Sequence, residues 1–144
     1  MKISIFLIFF INCYHQITQA NIYIYAYVDD EIITSYDIKK EEAYLKILNP
    51  NLNQLNAEKI VALSKNSLIN EIVKKKELLK FVDLDKENLF INDYLSNLYS
   101  KLNYSNEDIF KKELKKKGTY SLSQVKQKIK IELLWNDLIY KKYG

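Results

Sequence analysis

Between Ser121 and Lys142 the spacing predicts one long helix with apolar residues on two opposite sides, and no other feature of the chain restricts its folds as much. At about 100° per residue, Leu122, Val125, Ile129, Leu133 and Tyr140 fall on one side; Ile131, Leu134, Trp135 and Leu138 fall roughly opposite. A helix on the outside of a bundle hides a single apolar stripe. This helix therefore either runs through the middle of a small domain, with an N-terminal hairpin and first helix covering the second stripe, or keeps part of that stripe for another chain.

The remaining segments are suited to surround it. Ile22 to Val28 alternates with period two, so Ile22, Ile24, Ala26 and Val28 share one face and Tyr23, Tyr25 and Tyr27 the other. Asp29-Asp30 is a turn signal, and Glu31 to Thr34 returns as a second strand. Two strands alone are marginal in water, so the hairpin needs a packing partner. Everything after it reads as helix. Thr34 and Asp37 form a capping box for a first helix that stops at Asn49-Pro50. A second helix starts near Asn56, with Val61, Leu68, Ile72 and Leu79 as its stripe, widened by Ala62, Ile69 and Val73. On its polar side Glu71 is placed to pair with Lys75. A third helix follows Asp83-Leu84-Asp85 with a seam of Ile91, Leu95, Leu98 and Leu102. A fourth opens at Ser105, with Asp108 as box partner, and closes at Gly118 after three lysines. The fifth opens at Ser121 with Gln124 in the box position. The expected fold is mainly α: five helices behind a short N-terminal β-hairpin.

The first twenty residues read differently. Lys2, the apolar run Ile3 to Ile11 and the small residues Thr18 and Ala20 have the form of a secretory signal cleaved after Ala20. The run falls short of the ~20 residues a membrane span needs. Cys13 follows Asn12, whereas a lipid-modified cysteine follows a small residue. The division expected is thus a signal peptide over 1–20 and one domain over 21–144, with no stable membrane insertion. The only Cys, the only His and the only Met all lie in the signal segment. The domain that follows has no thiol nucleophile, no imidazole base and no Cys or His metal ligand, which excludes triads, zinc sites and thiol redox chemistry. All basic residues are Lys, and net charge is only +4. With no Arg for bidentate phosphate or guanine contacts, nucleic acid is not an expected partner. The abundance of Lys, Asn, Ile and Tyr matches an AT-rich coding bias.

The order of elements carries a resemblance. Tyr27-Val28-Asp29-Asp30-Glu31-Ile32-Ile33-Thr34-Ser35-Tyr36-Asp37-Ile38 resembles the opening of the mature SurA family of periplasmic chaperones: a hydrophobic strand, an Asn/Asp turn, a Glu-Val-Ile-Thr-like strand and a helix start. Leu68 to Leu79 looks like that family's long helix, Phe110 to Gly118 and Tyr120 to Ile129 like its short helix and the opening of its last one. Ile131-Glu132-Leu133-Leu134-Trp135 resembles the run that closes the domain. The departures are Lys in place of Arg and Asn70 where an acid is common. Members continue into parvulin-type prolyl isomerase domains and a C-terminal segment that folds back on the N-terminal domain; the match here extends over the N-terminal domain only. The resemblance therefore implies a five-helix SurA N-terminal-like domain and the chaperone half of the activity: periplasmic, ATP-independent binding of unfolded outer-membrane protein segments. Enzyme activity and cofactors are not expected. Rival readings are a homodimerisation or adaptor module for a separate parvulin protein, and a truncated SurA-like isomerase.

Candidate binding residues follow from placement. Tyrosine offers broad apolar contact and a hydroxyl that tolerates water, which suits loose holding of many sequences. Tyr23, Tyr25 and Tyr27 on the strand, Tyr36 and Tyr44 on the first helix, and Ile131, Leu134, Trp135 and Leu138 on the last helix either line a peptide groove or fill the core. A free hairpin edge also offers backbone pairing to a peptide. Glu41-Glu42 and the lysine clusters at 74–76, 111–112 and 115–117 read as solvated helix faces, with steering toward acidic clients or anionic membrane surfaces as a minor reading of the lysines. Asp83, Asp85 and Glu87 lack the glycine and terminal acid of a calcium loop.

Overall fold

The computed structural model describes residues 21–86, 88 and 90–144; the expected signal segment lies outside them, as does Glu87. Among the described residues the order is β1 (Ile24–Val28), β2 (Glu31–Thr34), α1 (Ser35–Leu48), a 3-10 turn (Pro50–Gln54), α2 (Ala57–Leu78), α3 (Phe90–Lys101), α4 (Glu107–Lys116) and α5 (Leu122–Tyr143). The mainly helical class and the antiparallel hairpin are as expected from the sequence.

Caps set the helix boundaries. Thr34 and Asp37 close a reciprocal box on α1, with Thr34 N–H donating to Asp37 Oδ2 at 2.9 Å and Asp37 N–H to Thr34 Oγ1 at 3.3 Å. Ser121 and Gln124 repeat it on α5. On α4 the cap is Asn106 rather than Ser105: its Oδ1 accepts from Ile109 N–H at 2.9 Å, so the helix starts one residue later than the box pattern suggests. Gly118 ends the turn after α4 at φ +65°, where Thr119 N–H reaches back to Leu114 C=O.

The strand face assignment needs correction. Ala26 pairs with Ile33 and Ile24 with Thr34, so β1 bulges between Ile24 and Ala26. One inserted residue resets the in–out alternation. Ile33 is buried with Ala26 and Val28 half-buried, whereas Ile24, Ile32 and Tyr27 are exposed. Tyr25 is half-buried, its ring centroid 5.2 Å from that of Tyr23. The hairpin packs on α2 and α1, and Lys76 of α2 holds its turn through Asp29 and Asp30.

α5 occupies the middle. Its first stripe enters the main core, where Val125 and Ile129 meet Tyr44 and Ile47 of α1, Leu95 of α3, Phe110 and Leu114 of α4, and Tyr120. Its second stripe forms a smaller cluster in which Ile131 is buried against Leu78 and Leu84, with Val82, Leu134, Trp135 and Leu138 packed around them. The second stripe is therefore covered by the end of α2 and the segment after it, not by the hairpin and first helix. Lys130, itself buried, fixes that segment by donating to the carbonyls of Leu84 and Lys86.

Candidate functional site

Every third residue of α1 from Ser35 to Ile47 is buried, and the middle one is Glu41. Its carboxylate is only 1% exposed, in contrast to the solvated face its sequence neighbours suggest. Burial of a carboxylate requires partners, and three are present. Tyr120 Oη–H donates to Glu41 Oε2 at 2.7 Å, Ser67 Oγ–H to Oε1 at 2.7 Å, and Lys128 Nζ lies 2.9 Å from Oε2. Lys128 also pairs with Glu71 of α2, so Glu71 turns to α5 rather than to Lys75. The ammonium stands 4.5 Å from the Tyr120 ring centroid and 5.6 Å from that of Tyr44. The two rings meet edge to face at 5.5 Å.

Burial, with the charge of Glu41 adding to it, raises the hydroxyl pKa values of Tyr44 and Tyr120 well above the usual tyrosine range. Tyr44, 6% exposed, packs in the main core rather than on the outer face of α1. A cavity of about 230 Å³ adjoins this node, between Tyr44, Leu45, Leu48, Tyr94, Leu98 and Ile129. Lys74 and Glu132 continue the ionic contact between α2 and α5 at 2.7 Å. Every buried side-chain nitrogen and oxygen among the described residues has a partner. The node accordingly joins α1, α2 and α5.

The other feature is an apolar furrow of about 390 Å³ at the C-terminal end of α5. Phe81, Trp135, Leu138, Ile139 and Tyr143 line it together with Glu77, Lys141 and Lys142. Phe81 and Tyr143 are well exposed, at 63% and 72%. Of the residues singled out from the sequence, Trp135 and Leu138 belong to this furrow. Leu134 is half-buried and turns toward a neighbouring hollow with Val82 and Phe81. Ile131 is buried beneath and is corrected to a core residue, because Leu78 and Leu84 cover it. Tyr23, Tyr27 and Tyr36 are exposed but line neither the furrow nor the cavity beside Glu41. The single groove uniting strand tyrosines with the last helix is therefore not formed. Sequence reasoning missed Phe81, Ile139 and Tyr143. The signal for the last two was present, since Trp135, Ile139 and Tyr143 stand at successive i,i+4 positions. Comparison with protein-family models, curated proteins and solved structures returned no match.

Proposed function

We propose that this chain is a SurA N-terminal-like chaperone domain that works in the periplasm as an ATP-independent holdase for unfolded outer-membrane protein segments. The observation that carries the reading is the open furrow: α5 buries Val125 and Ile129 of its first stripe, with Leu122 and Leu133 half-buried and Tyr140 exposed, and leaves Trp135 and Leu138 reachable beside Phe81, Ile139 and Tyr143. Aromatic and aliphatic walls give contact area without demanding a sequence, and Lys141, Lys142 and Glu77 add charge of both signs. Holding then consists of reversible burial of client side chains, with no covalent step.

The test is aggregation of a denatured porin followed by light scattering. The protein is expected to suppress it near equimolar ratio, and the double variant Trp135→Ser, Leu138→Ser to lose most of that effect while keeping its helical circular dichroism. Unchanged aggregation at a large molar excess of the wild-type chain would discard the reading. A concentration-dependent doubling of mass together with no client effect would favour the dimerisation or adaptor role instead.

A further inference from the structure

Half of the lysines of α2 and α5 are held by acids, Lys74 by Glu132, Lys76 by Asp30, Lys126 by Glu107, Lys128 by Glu41 and Lys141 by Asp137. Those with no carboxylate partner among the described residues, such as Lys59, Lys65 and Lys75, are spread along more than four turns of α2. The lysines of α4 are not held in this way. Lys111, Lys112, Lys115 and Lys116 are all exposed, and none is paired with a carboxylate among the described residues. At helical spacing the four fall within about 140° of arc, opposite Phe110 and Leu114, which anchor α4 in the core. Asp108 lies on the same face one turn earlier, and Ile109 flanks it, 43% exposed. A coding bias toward lysine supplies the number of these residues, but it does not by itself gather four of them on one face of a ten-residue helix.

We infer that this face of α4 docks the protein on an anionic lipid surface. Four ammonium groups on flexible stems are point charges suited to a fluid array of phosphate headgroups, whereas fixed bidentate recognition would call for Arg. The partly exposed Ile109 and the lysine stems bring apolar surface to the same plane. Such docking is peripheral; among the described residues no helix is long and apolar enough to cross a membrane. The furrow lies at the far end of α5 from the residues that pack on α4, so a docked molecule keeps it open.

Co-sedimentation with vesicles of phosphatidylcholine, with and without phosphatidylglycerol, tests this. The apolar run Ile3 to Ile11 gives the full chain a way to partition into any bilayer, so the readout is the ratio of anionic to neutral partition coefficients. That ratio is expected to exceed tenfold at low salt, to fall as salt rises, to drop by up to roughly fivefold for a single α4 lysine changed to Gln, and to approach unity in the variant Lys111→Gln, Lys112→Gln, Lys115→Gln, Lys116→Gln. The variant Lys59→Gln, Lys65→Gln, Lys75→Gln, Lys86→Gln removes the same charge elsewhere and is expected to retain most of the preference. Equal losses in the two quadruple variants, or no anionic preference in the wild type, would overturn the inference. So would salt-sensitive binding of polyglutamate through α4 without vesicle binding, which would make the partner an acidic polypeptide. The Trp135→Ser, Leu138→Ser variant is expected to bind vesicles normally, which separates this face from the client furrow.

Discussion

Removing the ammonium of Lys128 leaves Glu41 and Glu71 facing one another with no cation between them. Because Glu41 is buried, Lys128→Met is expected to cost about 3–5 kcal/mol, read as a lower denaturant midpoint at unchanged slope. Loss of less than about 1 kcal/mol would mean that the pair behaves like a surface salt bridge. Tyr44 and Tyr120 make a second prediction from the same node. Their hydroxyls hold protons more tightly when folded than at the ordinary tyrosine value near 10.0. Above about pH 10 the unfolded chain sheds those protons while the folded one keeps them, so stability falls as pH rises. Below pH 10 the contribution is fully present. Absorbance at 295 nm is expected to show part of the tyrosine titration arriving only with unfolding; complete ionisation while the helical signal persists would contradict the burial.

Helix ends and the segments between helices carry their own tests. Ser121→Ala removes one half of the α5 box and is expected to cost about 1 kcal/mol. Gly118→Ala meets no atom within 4 Å, so its cost is that of the left-handed backbone alone, about 1–2 kcal/mol. A larger loss would show that the turn after α4 is tighter than its geometry indicates. Lys130 does for the segment after α2 what a cap does for a helix: it gives the carbonyls of Leu84 and Lys86 a donor from the neighbouring element. Lys130→Met keeps the stem packing and removes only the donor. Faster amide exchange near Val82–Lys86, with α1 and α4 unaffected, is the expected result.

At the level of the molecule, α5 belongs to both hydrophobic clusters and to the ionic node, whereas the hairpin rests mainly on α2 and α1. Amides of Val125 to Leu133 should therefore exchange slowest, close to the rate of global unfolding, and those of β1 distinctly faster. Equal protection of β1 and α5 would mean that the hairpin belongs to the same cooperative unit. The two proposed surfaces divide the exterior between them. The furrow is apolar and formed where α5 outruns its cover; the α4 face is cationic and formed where a short helix turns its apolar side inward.

Residue spacing alone determined the helices, the caps of α1 and α5 and the double stripe of α5, because each depends on groups within a few positions along the chain; the cap of α4 falls one residue later, on Asn106. Thr34 with Asp37 and Ser121 with Gln124 are instances in which local hydrogen bonding leaves few alternatives. The bulge in β1, the burial of Glu41 and the cover over Ile131 depend on partners far away in sequence: Ser35 against Tyr23, Tyr120 and Lys128 against Glu41, Leu84 against Ile131. A period-two pattern does not announce an inserted residue, and an acid in an i+3 row of apolar residues reads as buried only once its cation is known. Which part of the second stripe remains open was likewise decided by packing. The end of α2 and the segment after it reach Ile131 and stop short of closing over Trp135 and Leu138, so the surface available for holding a client was settled by tertiary contacts.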